Sequence, residues 1–177
     1  MEEVKIKKSY LKFGIIAIIV IAGFLVVPKF TGNSISEVSP PVKTSEIILQ
    51  TSEGDSVVLS QFKGNVVVLQ AMASWCPSCK LQAQQIKPLY EKYKYSGLEV
   101  ISLDIQPERS NLDDLKEFKK THGGDWYFGF YPEFISQYGV RSLDSTVVIN
   151  RKGEIVYQDD TITTTEKLEE VLVPLLK

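Results

Sequence analysis

Cysteine and histidine are scarce in these 177 residues: the chain has two of the first and one of the second. Two cysteines cannot staple a small disulfide framework, and with one histidine they fall short of the four ligands a structural zinc usually takes. With 11 glycines and 8 prolines the chain is neither collagen-like nor low-complexity. Its 44% of apolar residues is that of a globular protein and excludes a multi-span membrane protein. Positive charge is also thin where it would matter for nucleic acid. Five lysines against two glutamates lie in residues 1–30, and the rest of the chain is net acidic. An acidic folded part has no basic face to neutralise phosphates, so no nucleic-acid partner is expected.

One long apolar run is present. Residues 13–27, FGIIAIIVIAGFLVV, carry no charge. Lys5, Lys7, Lys8 and Lys12 precede the run and Lys29 follows it. Extended from Tyr10 to Phe30, a helix would be about 31 Å long, roughly one hydrocarbon core. Val26-Val27-Pro28 is not a small-x-small cleavage site, so an uncleaved signal anchor is favoured over a cleaved signal peptide. The lysines ahead of the run keep the tail in the cytoplasm and put the remaining chain on the far side of the membrane. There, cellular reductants do not keep thiols reduced by default. The organisation expected is a cytoplasmic tail (1–12), a transmembrane signal anchor (13–30), a Ser/Thr/Pro-rich linker (31–45) and a folded domain (46–177). No internal repeat is visible.

The domain reads as alternating elements. EIILQ (46–50) and SVVLS (56–60) flank Glu53-Gly54-Asp55 as a hairpin. NVVVLQAMA (65–73) and LEVISLDI (98–105) are continuous apolar runs, as in strands buried on both faces. A helix is expected from Pro77 to Tyr95, kinked at Pro88, with Leu81, Ile86, Leu89 and Tyr93 among its apolar positions. Asn111 caps a second helix that presents Leu112, Leu115 and Phe118. A short helix (133–138), a hairpin (TVVIN, 146–150, with EIVYQ, 154–158) and a last helix (165–176) complete the order β-β-β-α-β-α-(α)-β-β-α. This predicts an α/β fold with a mixed central sheet flanked by helices.

Both cysteines fall in Trp75-Cys76-Pro77-Ser78-Cys79, where the first buried strand hands over to the first helix. Residues three apart at a helix start share a face, close enough for a disulfide. Cys76 at the helix edge gains from unpaired N–H groups and the helix dipole, which favour a thiolate. Cys79, one turn inside, is expected to be less exposed. Pro77 suits the first turn, Pro77-Ser78 tunes the potential, and Trp75 is expected to cover the pair. Thiol–disulfide exchange follows: the Cys76 thiolate attacks a partner disulfide and Cys79 resolves the mixed disulfide. No cofactor is needed. Two other readings of the same residues are a copper or other soft-metal carrier, since paired thiolates suit Cu(I), and a thiol peroxidase.

KGNVVVLQAMASWCPSCKLQ resembles the active-site segment of thioredoxin-like proteins, most closely the TlpA/ResA-type membrane-anchored thiol–disulfide oxidoreductases. YGVRSLDSTVVINRKGEIVY (138–157) and the lead-in hairpin resemble the same branch, so the likeness spans about 46–177. The resemblance implies a thioredoxin-like fold with an N-terminal hairpin extension, Cys76 attacking and Cys79 resolving. It also implies partners with protein thiols or disulfides, including a membrane-embedded thiol donor or an apocytochrome.

Three positions depart from that pattern. Asp144 stands where such proteins carry a cis-proline; a trans peptide is expected there, because a non-proline cis bond costs about 3–4 kcal/mol. Asp144 either approaches Cys76, raising its thiol pKa and offering an oxygen ligand to a metal, or points to solvent and caps its loop. Gln70 replaces a buried acid beneath the cysteines, and Gln82 replaces a glutamate after the second cysteine. Neither amide moves a proton, and each is read as a hydrogen-bonding group. His122 is read as a helix-end residue, Arg141 as structural, and Asp125-Trp126-Tyr127-Phe128 as core aromatics.

Overall fold

The computed structural model describes residues 46–177. The expected tail, anchor and linker (1–12, 13–30 and 31–45) lie outside the described residues. Among the described residues no helix is long and apolar enough to cross a membrane.

Strands β1 (Ile48–Thr51) and β2 (Ser56–Val58) form the leading hairpin, and a 3-10 turn (Leu59–Phe62) takes the end of the run read as strand. Then follow β3 (Val66–Met72), α1 (Pro77–Tyr93), β4 (Leu98–Asp104), α2 (Leu112–Thr121), β5 (Tyr127–Phe130), α3 (Phe134–Tyr138), β6 (Thr146–Ile149), β7 (Ile155–Asp159) and α4 (Thr165–Leu176). They build a seven-stranded sheet in the order β2-β1-β5-β4-β3-β6-β7. β3, β4 and β5 run parallel, while β1, β6 and β7 pair antiparallel to their neighbours. The mixed sheet is thus as expected.

β3 is buried at every position because helices or loops cover both of its faces. Val66, Val68 and Met72 join Ile86 and Leu89 of α1, Leu115 and Phe118 of α2, and Leu168 and Leu172 of α4. Val67, Leu69 and Ala71 join Phe134 and Tyr138 of α3 and the leading hairpin. The two-residue period of a strand puts Gln70 on the α1 side with Val68 and Met72. On β4 the same period aligns Ser102 and Asp104 with Val100 and so with that side.

Several readings are corrected. β5 falls where only a core aromatic cluster was expected; Trp126 and Phe128 are buried, but Tyr127–Phe130 also pairs with β4 and β1. Its four residues are too few to show a period, and Gly129 breaks the apolar pattern. That glycine is required: a Cβ there would collide with the Gln50 carbonyl oxygen and the Leu49 side chain. Leu112, first residue of α2, is 47% exposed and not part of the buried face. Leu81 is 51% exposed, close to the site end of α1. α1 closes at Tyr93 into a 3-10 turn (Lys94–Ser96), and Gly97, at φ +88°, ends it in a left-handed turn. Pro88 lies inside α1, which continues through it.

Candidate functional site: the Cys76–Cys79 pair

β3 delivers the chain to the site. The Cys76 N–H donates to the Ala73 carbonyl (3.0 Å), turning the backbone as the strand ends. Cys76 then caps α1: its Sγ accepts from the Cys79 N–H at 3.2 Å, and Pro77 occupies the first helical turn, where no N–H is needed. Cys76 and Cys79 form a disulfide with their Cα atoms 5.3 Å apart. Cys76 keeps 3% exposure and Cys79 none, the order expected. The Ser78 hydroxyl lies 3.3 Å from Cys76 Sγ. On reduction, sulfur at position 76 meets a backbone N–H, a hydroxyl and the positive end of a 17-residue helix, all of which favour negative charge.

The loop before β6 closes the other side. Leu143 O is 3.4 Å from Cys79 Sγ, and Asp144 Oδ1 is 4.0 Å from Cys76 Sγ. Of the two placements open to Asp144, the structure takes the one beside the cysteine. Its peptide is trans. The loop is tied down in several places. Asp144 N–H donates to Ser142 Oγ (3.3 Å), Ser145 Oγ donates to Asp160 Oδ1 (2.7 Å), and Ala71 N–H donates to the Ser145 carbonyl (2.8 Å). Cys76, Cys79 and Asp144 each place one potential ligand atom within 4.8 Å of the others. Both sulfurs are spent on each other in the disulfide, so that cluster offers a soft metal no thiolate in this state.

Both glutamines are buried and fully engaged. Gln70 Nε2 donates to the Cys79 carbonyl (3.1 Å) while its Oε1 accepts from Ser102 Oγ (3.0 Å), which in turn accepts from Trp126 Nε1 (2.9 Å). Gln82 bridges the Thr163 backbone, donating to its carbonyl (3.2 Å) and accepting from its N–H (2.7 Å), and so fastens α1 to the loop before α4.

Trp75 directly precedes Cys76 in the turn between β3 and α1. It is 37% exposed and lies under the Arg109 guanidinium, 3.7 Å from the ring centroid. The two line a cavity of about 320 Å³ with Lys80 and His122 among its other walls. His122 ends α2 as read, its ring edge-on to Phe118 at 5.3 Å. Arg141 pairs loosely with Asp160 (3.7 Å) from an exposed position.

Asp104 was not singled out from the sequence, although an acid closing an apolar strand was the available signal. Its side chain is buried and accepts from the N–H groups of Ser74 (3.1 Å) and Gln106 (2.9 Å), which pins the segment before Cys76 to the end of β4. Burial raises its pKa above the ordinary 3.8, against the lowering effect of its hydrogen bonds. The folded chain therefore keeps this proton at pH values where the unfolded chain has lost it, and stability falls as pH rises from the ordinary value toward the folded one. Denaturant titrations at several pH values across that interval are expected to show this decline in the wild type and a shallower one in Asp104→Asn. Parallel profiles would show that Asp104 does not titrate anomalously.

The sequence profile of the Redoxin family matches residues 26–172. Thiol-disulfide oxidoreductase ResA of Bacillus thuringiensis subsp. konkukian is 27% identical over 170 residues, covering 94% of this chain and 96% of the relative. ResA of Halalkalibacterium halodurans is 28% identical over 177 residues, covering 98% and 97%. Among solved structures, a putative thiol:disulfide interchange protein DsbE from Chlorobium tepidum superposes with a TM-score of 0.68 at 25% identity, covering 78% of this chain and 99% of that one. These relatives favour disulfide exchange over the soft-metal reading of the same cysteines. With its thioredoxin-like sheet, and its one cysteine pair at the β3–α1 junction, the chain belongs to the Redoxin family as a thiol–disulfide oxidoreductase of the ResA type.

Proposed function

We propose that this chain is a membrane-tethered, extracytoplasmic enzyme that exchanges disulfides with protein partners, in which Cys76 joins the partner and Cys79 releases it. The observation that carries the reading is the asymmetry of the pair. Cys76 retains an exposed edge at the start of α1, whereas Cys79 is sealed beneath it. A partner sulfur reaches only the first, and the second is held for the intramolecular step.

The reduced pair runs as follows. The Cys76 thiolate attacks a partner S–S bond; the Cys76–partner bond forms, the partner bond breaks, and one partner thiolate leaves. Cys79 gives up its proton and attacks Cys76 Sγ. The internal disulfide closes and the second partner thiolate leaves. Two electrons pass from the pair to the partner, and the reverse sequence oxidises a partner dithiol. Trp75 and the exposed Pro77 and Leu81 give this end of the molecule an apolar border against which a polypeptide can rest. Ser78, Gln70 and Asp144 adjust the pair through the contacts described above, and Gln82 holds the helix that Cys76 caps to the loop before α4.

The tether rests on residues 13–30 and the lysines before them. A membrane-embedded thiol donor is the partner class that such tethering serves best, with an apocytochrome as a downstream substrate. Full-length protein is expected to sediment with membranes, and its reduced Cys76 to react with a membrane-impermeant maleimide in intact spheroplasts. Recovery in the soluble fraction, or labelling only after lysis, would overturn the location.

A further inference from the structure

The Asp144 carboxylate lies 4.0 Å from Cys76 Sγ and is half-buried. Among the described residues it makes no ion pair, while neighbouring Arg141 is directed to Asp160 and the Arg109 guanidinium lies on the Trp75 ring. Ser142, Ser145 and Asp160 hold the loop that carries it, so the carboxylate is not free to swing away with its backbone. Each direction of exchange creates negative charge on sulfur at this point. Either the Cys76 thiolate attacks, or a partner thiolate approaches Cys76 Sγ. Like charges so close and partly shielded from water repel, and among the described residues no cation pairs with Asp144 to compensate.

Resting on the exchange function proposed above, we infer that Asp144 selects the substrate by charge: the preferred partner is a protein cysteine with lysine or arginine next to it. A basic side chain beside the reacting sulfur pairs with Asp144 as the two sulfurs meet. It cancels the repulsion, stabilises the thiolate and orients the peptide across Cys76. An acidic neighbour adds a third negative charge. Asp144 is in this role a specificity determinant, and the sulfurs still carry out the chemistry.

The test uses reduced full-length protein in detergent and two disulfide-linked peptides that differ only in having Lys or Glu beside the cysteine. Single-turnover rates are measured at low and at high salt. The wild type is expected to react about tenfold faster with the Lys peptide at about 10 mM ionic strength, with the ratio falling toward unity at about 1 M. Asp144→Asn is expected to reduce the low-salt ratio to about threefold or less, and Asp144→Glu to restore most of it. Equal rates for the two wild-type peptides, or an unchanged ratio in Asp144→Asn, would overturn the inference and leave the exchange function standing. Absence of exchange with both peptides would overturn the function on which it rests.

Discussion

Full-length protein carrying Cys79→Ser is expected to accumulate as a covalent adduct with its partner, whereas Cys76→Ser forms none and exchanges at the uncatalysed background rate. The difference comes from where the two sulfurs sit. Cys76 caps α1 with a backbone N–H aimed at its sulfur and retains solvent contact, so it can meet an outside disulfide. Cys79 is fully enclosed, with its sulfur against the Leu143 carbonyl. In Cys79→Ser the first attack proceeds and the second cannot, because a hydroxyl does not replace a thiolate as the attacking group. The adduct then survives non-reducing electrophoresis, and mass spectrometry places it on Cys76. An adduct on Cys79 in the Cys76→Ser variant, with none in Cys79→Ser, would reverse the assignment.

Gln70→Ala is expected to cost about 3 kcal/mol and to lower Tm by roughly 10 °C. The amide is buried and joins three elements: it donates to the Cys79 carbonyl of α1 and accepts from Ser102 of β4, which is itself bonded to Trp126 beside β5. Alanine removes two hydrogen bonds, leaves a buried hydroxyl without its acceptor, and opens a cavity between sheet and helix. Gln70→Met separates these effects. It fills most of the volume but makes neither bond, so its expected loss is about half as large. Because the bond to Cys79 sets the first turn of α1, both variants are also expected to shift the reduction potential of the cysteine pair. Thermal denaturation and redox titration of the same samples measure the two effects together. A loss below about 1 kcal/mol in Gln70→Ala would mean that the network is not holding helix to sheet.

Much of this architecture could be read from local chemistry. The uninterrupted apolar runs of β3 and β4, the Asn111 cap of α2, and the β3-to-α1 position of the cysteine pair all depend on residues within a few places of one another. Capping and periodicity act over that range. Thus Cys76 before Pro77, and Cys79 one turn inside, were placed correctly, with the more enclosed sulfur identified. β5 was missed because four residues interrupted by a glycine carry no period, and only pairing to β4 and β1 makes them a strand. The Arg109 guanidinium over the Trp75 ring has no local signal, because α1 and β4 separate the two residues in the chain.

The amino-acid order alone was enough for the sulfur chemistry, since the reacting atoms and the helix start that activates them lie within four consecutive residues. Packing of distant segments decided what surrounds those sulfurs. Asp144 meets Cys76 across 68 positions, Gln82 meets Thr163 across 81, and Gln70 supports α1 from the strand below. Such contacts form only when sheet and helices close on a common core, and no short-range propensity encodes them. Local order thus made this chain a disulfide exchanger, and the folded environment set the charge, the support and the access of the exchanging pair.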